Sequence, residues 1–445
     1  MAGKRERGFF ELYRDDPERA DALIFGRVAN VDRRGFLKGA GLAAMGATVG
    51  GAIPFAGSMP SGLVPAALAQ GTAAPAGQPK LLKMDGKAEL VILGDKPLVC
   101  ETPEHLLDDD VTPNERIFIR NNGQIPEPTK EPDAWEIAID GEVNKPLKLK
   151  LGEIKQKFQN VTHRMQMECG GNGRAFFQPE ARGNQWTNGA ISNAAWTGVR
   201  LADLLKAADL KPSAVHTGNF GADPHLSGDA SKLTISRGVP MAKAMEEHTI
   251  LAFAVNGKPL PLIHGFPARL VSPGWPGSAS QKWLTRIWVR DKEHDGPGMT
   301  GTSYRVPRIP MVPGGKVDNA NMRVLQSMPV RSIVTNVANG TKLPAGTRKL
   351  DLRGHAWAGE KTVRAVDVSI DFGQSWTKAE IKPAPEKYSW QRWTASVTLP
   401  SAGYYEAWVR ATDSDGLGQS FAAWNWNPQG YGGNAVHRVS VLVEA

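Results

Sequence analysis

From about residue 90 onward the spacing of apolar positions changes several times, and each change marks an element. Leu147 to Phe158 and Val199 to Leu210 carry apolar residues three and four apart, the period of a helix with one face on a core. Val161 to Met167 and Ile250 to Val255 are short runs that predict extended chain. Mixed signals of this kind over residues 90–325 predict one α+β domain. After Met328-Pro329-Val330 the texture changes. Val366, Val368 and Ile370 alternate with polar neighbours ahead of an Asp371-Phe372-Gly373 turn, and alternation returns at Trp408 to Thr412 and Val439 to Val443. Short strands about ten residues apart predict a β-sandwich of immunoglobulin type over 326–445. Such a domain commonly serves an interface, so dimerisation is expected.

The first 89 residues follow neither pattern. Residues 1–32 are polar and charged, Asp32-Arg33-Arg34-Gly35-Phe36-Leu37-Lys38 follows, and 39–69 carries no charge. Adjacent arginines before Phe-Leu-Lys match a twin-arginine export signal, and Ala67-Leu68-Ala69 offers small residues for cleavage. The uncharged stretch is long enough for a membrane anchor, but Pro54, Pro60 and Pro65 among many Gly and Ala make it weakly hydrophobic. Cleavage near residue 69 and a periplasmic, folded-exported protein are therefore expected, with 70–89 a flexible segment. Export of a folded chain points to a cofactor inserted beforehand.

Composition narrows the chemistry. The formal charge is +8, but Lys and Arg are interspersed with Asp and Glu, and no basic run accompanies a nucleic-acid-binding signature. The 2 cysteines, Cys100 and Cys169, form no CxxC pair and no CxxCH motif. A disulfide scaffold, a cysteine zinc site and a covalently attached haem in this chain are thus excluded, and redox chemistry would need an outside electron partner. Cys100 reads as a partly buried free thiol.

One segment concentrates chemistry. In Met165-Gln-Met-Glu-Cys169-Gly-Gly-Asn-Gly-Arg174 a lone cysteine closes an extended run and opens a loop of three glycines and an arginine. A thiolate suits a soft or high-valent metal, and glycines let a large planar group approach the backbone.

Four stretches of wording resemble the sulfite oxidase family of molybdopterin enzymes. They are Phe118-Ile119-Arg120-Asn121-Asn122; Cys169 to Arg174 with Trp186 and Gly189-Ala190-Ile191-Ser192; Asn256 to Pro261 with His264-Gly-Phe-Pro-Ala-Arg269; and Ser280-Gln281-Lys282-Trp283-Leu284. The resemblance runs from about residue 95 to the C-terminus. It implies a molybdopterin-binding domain followed by an immunoglobulin-like dimerisation domain, and one Mo-molybdopterin per chain. By the same resemblance Cys169 is the molybdenum ligand, while Phe118, Ile119, Arg120, Asn121, Asn122, Asp223, His264, Arg269, Ser280, Gln281 and Lys282 hold the pterin and its phosphate. Arg120, Arg174, Tyr304, Trp186 and Arg438 line an anion pocket, where forked guanidinium groups suit a dianion.

The match has departures. Asn122 stands where the family has histidine, and Gly173 stands where it has arginine. The Cys-Gly-Gly-Asn-Gly-Arg version with a twin-arginine leader resembles the SoxC branch, the molybdenum subunits of sulfane dehydrogenases in bacterial thiosulfate oxidation. This implies oxidation of carrier-bound persulfide or of sulfite, Tyr304 donating a hydrogen bond near the transferred oxygen. Electrons would pass to a c-type, dihaem cytochrome subunit, in a heterotetramer built on a homodimer. Alternatives are a dehydrogenase of free sulfite, a periplasmic methionine sulfoxide reductase, a nitrate reductase without its fused domains, and a cofactor-free binding protein on the same fold.

Overall fold

The computed structural model describes residues 79–423 and 425–444, together with Asp16 and Arg19. The export leader expected over 1–69 and the start of the segment after it lie outside the described residues. Among the described residues no helix is long and apolar enough to cross a membrane.

Three sheets and a two-stranded ribbon, Arg305–Pro307 with Met322–Val324, build the first unit. A small sheet joins Val91–Asp95, Leu98–Glu101 and Ile119–Arg120. A five-stranded sheet runs Lys258–Pro259, Ile250–Val255, Ile191–Arg200, Asn160–Glu168, with Arg269–Val271 pairing Ile250–Val255 off this path. The third orders Leu147–Lys150, Glu136–Gly141, Leu284–Arg290, His216–Gly221 and Ser236–Arg237. Both extended runs expected at 161–167 and 250–255 are strands.

The two expected helices are shorter than their apolar spacing suggests. Leu147–Lys150 pairs antiparallel with Glu136–Gly141, and only Leu151–Lys157 is helical, its entry fixed by the Glu153 carboxylate accepting from the Lys150 N–H at 2.9 Å. Val199 and Arg200 likewise finish a strand before the helix Leu201–Ala207. In both places sheet pairing claims residues that a helical period also accommodates. Leu151, Ile154, Leu201, Leu204 and Leu205 still turn inward, onto a core shared with Ile137, Leu251, Ile287 and Val289.

The second unit is a two-sheet sandwich. One sheet orders Arg331–Val334, Lys349–Trp357, Gln391–Thr398 and Glu380–Ile381; the other orders Thr341–Leu343, His437–Val443, Gly403–Asp413, Val363–Ser369 and Thr377–Lys378. Inward residues of both sheets, among them Leu352, Trp393, Val366, Val409 and Val441, share one apolar core.

A buried ion pair ties the units together beside the cysteine loop. Arg331, on the first sandwich strand, lies 3.5 Å from Glu168 and donates to Asn188 Oδ1 at 2.7 Å and Asn172 O at 3.0 Å. Trp357 Nε1 adds a bond to Glu168 at 2.9 Å. The residue just before Cys169 is therefore held from across the domain junction.

Most of the stretch 79–89 is exposed, but two of its residues make contacts with the first unit. Leu82 and Leu90 are buried with Cys100 and Ile119 in one apolar cluster, and Lys87 reaches into the first unit. Cys100 is fully buried, not partly, and both cysteines are free thiols.

Candidate active site

Cys169 sits where strand Asn160–Glu168 ends. Its N–H donates to Ala190 O at 2.9 Å, and its carbonyl accepts from Asn172 N at 2.9 Å, closing a tight loop. Gly173 has φ +83°, and a Cβ there would lie 2.4 Å from Arg331 Nη1, so no side chain can occupy position 173 without displacing the interdomain arginine. Burial pushes the Cys169 thiol up, against the field of Arg120 and Arg174.

The thiol faces an open cavity where the ends of the three sheets meet. Twelve sequence-selected residues line it: Phe118, Arg120, Asn121, Asn122, Cys169, Asp223, His264, Arg269, Ser280, Gln281, Lys282 and Tyr304. Ile119 does not; its side chain turns into the small cluster around Cys100 because strand alternation sends it away from Phe118 and Arg120. The cavity wall is rich in buried and half-buried cations. Arg269 donates to His264 O and Ser280 O, both at 2.9 Å, and Lys282 donates to Asn121 Oδ1 at 2.6 Å and Ile263 O at 2.7 Å. Burial lowers Arg269 to about 9 and brings Lys282 well below the usual lysine range. Asp223 is raised to about 6 by desolvation, opposed by Lys282.

Several wall atoms are buried without a partner: Arg120 Nη1, Ser278 Oγ and Gln281 Oε1. Native interiors seldom leave such groups unpaired, so they mark where a polar occupant fits, one that accepts from Arg120 and donates to Gln281 Oε1. Tyr304 (φ +48°) and Trp283 (φ +48°) hold left-handed backbone on the same wall, a conformation that non-glycine residues keep where surrounding structure imposes it.

Three expected pocket residues stand elsewhere. Arg174 is a buried strut behind the loop, donating to Gln429 O at 2.7 Å and Asn184 O at 2.8 Å. Trp186 is fully buried, edge-on to Phe118 at 6.0 Å, and so backs the wall without lining it. Arg438 is the clear correction. The register of its strand sets it opposite Trp408, and its guanidinium lies 4.2 Å from that ring while donating to Phe421 O, in a separate crevice of the sandwich. The C-terminal unit instead approaches the site through residues 429–431.

Sequence reading missed three contributors. Lys87 donates to Asn114 O and Ile117 O, both at 2.8 Å, and its Nζ lies 2.7 Å from His264 Nε2. With burial and the cations Lys87, Lys282 and Arg269 around it, His264 is held well below the usual histidine range. It is therefore neutral. Tyr431 stacks on Tyr304 at 4.9 Å, and Arg237 lies 4.7 Å from the other ring in that pair, Tyr304. None of the three belongs to a motif; only the folded chain brings them to the pocket.

Two family models match the chain: the oxidoreductase molybdopterin binding domain over residues 122–298 and the Mo-co oxidoreductase dimerisation domain over 322–444. Sulfite oxidase of Gallus gallus is 31% identical over 360 residues, covering 78% of this chain and 77% of that one. The mitochondrial sulfite oxidase of Drosophila melanogaster is 33% identical over 375 residues, and there the match spans 78% of this chain but only 62% of the fly protein. Among solved structures, the sulfane dehydrogenase SoxCD from Paracoccus pantotrophus superposes with a TM-score of 0.66 at 27% identity, covering 84% of this chain and 94% of that one.

Proposed function

Because the chain belongs to the sulfite oxidase family of molybdopterin oxidoreductases, we propose that it oxidises a sulfur anion, preferably sulfane sulfur carried on a partner protein's cysteine, with free sulfite the second candidate. The observation that carries this reading is a buried thiol, Cys169, sharing one cavity with Arg120, His264, Arg269 and Lys282. The residues suit a molybdenum pterin. Cys169 would ligate the metal, and Arg269, Lys282, Ser280 and Gln281, with neutral His264, would hold the pterin and its phosphate. When bound, that group supplies oxygen transfer and a two-electron sink.

The protein's own part is orientation and charge. Arg120, with an unpartnered Nη1, would bind the substrate's anionic oxygens, and Tyr304, whose hydroxyl lies 3.5 Å from Asn122 Oδ1, would donate at the reacting end. The sulfane preference is supported by the likeness to SoxCD over most of its length. Free sulfite is supported by the sequence match to the sulfite oxidases.

Electrons would leave to a c-type cytochrome subunit, with the C-terminal sandwich joining two copies and the assembly residing in the periplasm after twin-arginine export. The deciding experiment measures molybdenum in the purified protein and in Cys169→Ser, and cytochrome c reduction with sulfite against thiosulfate plus its carrier proteins. Stoichiometric molybdenum, with activity abolished in the variant, is the expected result. The faster substrate then separates the two candidates, and a metal-free, inactive wild type overturns the reading.

A further inference from the structure

Behind the cavity wall made by Tyr304 lies a charged side chain to which the reading above gives no task. Arg237 ends the edge strand Ser236–Arg237 and is fully buried. Its Nη1 donates to Gly298 O at 2.7 Å and meets Met299 Sδ at 2.9 Å, while Nε and Nη2 have no partner. No carboxylate pairs with it among the described residues; Glu293, whose field it feels, is engaged by Arg305 at 2.7 Å. Burial lowers Arg237 only to about 10, so it stays a cation at neutral pH.

An unpaired buried guanidinium is among the costliest groups a fold can hold. The contacts around it show what it serves. Its guanidinium lies 4.7 Å from the Tyr304 ring centroid. Tyr304 stacks on Tyr431 at 4.9 Å with 15° between planes, and Arg174 lies 5.3 Å from the Tyr431 ring. Arg237, Tyr304, Tyr431 and Arg174 thus form a continuous column of contacts, and its second member lines the cavity.

We propose that Arg237 is a positioning residue of this pocket: its cation–π contact fixes the Tyr304 ring with the hydroxyl toward the cavity, and its uncompensated charge biases the cavity toward dianions. A cation on one face of a phenol draws electron density from the ring and strengthens the O–H as a donor. The charge itself reaches the cavity through a low-dielectric wall, where screening is weak. The inference rests on the sulfur-anion reading for the identity of the occupant.

The test uses the full-length, metal-loaded protein with Arg237→Met and Arg237→Lys. Sulfate, an inert dianion, is titrated by calorimetry, and kcat and KM are measured with sulfite. Expected for Arg237→Met is sulfate binding weakened by roughly tenfold and KM raised by a similar factor, at unchanged molybdenum content, since a cation–π contact and one nearby charge are together worth about that much. Arg237→Lys recovers most of both. In a Tyr304→Phe background the Met substitution costs less than in wild type, because part of its effect runs through the phenol. Sulfate affinity and KM unmoved in Arg237→Met, or a loss that Arg237→Lys does not recover, overturns the inference and leaves Arg237 a packing residue. A loaded wild type that binds sulfate yet ignores Arg237 sinks this inference alone, whereas a wild type without molybdenum or sulfate affinity sinks the parent reading with it.

Discussion

The sandwich and the pocket-bearing unit spend their buried residues in opposite ways. In the sandwich, two sheets close on a core of Leu352, Val366, Trp393, Val409 and Val441, and the strand periods alone determine which side chains meet. Around the cavity Cys169, Arg237 and Arg269 are buried and Arg120 and Lys282 half-buried, with Arg120 and Arg237 leaving nitrogen atoms unpaired. The first arrangement lowers the free energy of the empty protein. The second raises it, and makes sense only with an anionic occupant to neutralise the cations. The Arg331–Glu168 pair joins the two regimes, since it lets the rigid sandwich hold the loop that the cavity depends on.

Substitutions of comparable size should therefore act with opposite sign in the two regions. Leu352→Ala removes a buried side chain from the sandwich and is expected to lower stability by about 2–5 kcal/mol while leaving molybdenum content per folded chain unchanged. Arg237→Met removes an unpaired cation that makes a single hydrogen bond to oxygen, and is expected to raise the stability of the metal-free protein by about 1–4 kcal/mol. Chemical denaturation of the metal-free proteins measures both. If Arg237→Met destabilises as Leu352→Ala does, the contrast between the regions is wrong.

The same contrast explains what could be read from the chain beforehand. Sandwich strands announce themselves through alternation at Val366, Val368 and Ile370, and the cysteine loop through its residue types. Boundaries failed where two periods fit the same residues: Leu147 and Leu149 sit on a helical spacing but pair as strand with Ile139 and Ile137. Site residues failed for another reason. Lys87 meets His264 across 177 positions, and Arg237 meets Tyr304 only because an edge strand passes behind that wall. Neither local spacing nor composition encodes such meetings. Arg438 failed in the reverse direction: its place in the chain suited a pocket role, but cross-strand register commits it to Trp408.

The smallest expected effect sharpens the contrast through pH. Desolvation raises Asp223 from an ordinary 3.8 to about 6, against the opposing pull of Lys282. Between those values the folded state holds a proton that the unfolded chain has released, so stability must fall as pH rises from about 4 to 6 and level off above. Two pKa units would correspond to no more than about 3 kcal/mol, and Asp223 is only partly buried, which reduces it. Asp223→Asn removes this contribution, so over that window the variant's stability should fall less steeply than the wild type's, the remaining slope including that of Glu101, which burial raises to about 7. An anion bound beside Lys282 and Arg269 repels the Asp223 carboxylate and offsets the cations that favour its ionised form. The loaded protein should therefore keep its proton to higher pH, and its decline should shift upward. Equal slopes in wild type and Asp223→Asn would show that the Asp223 carboxyl takes no part in the pH dependence of this half of the molecule.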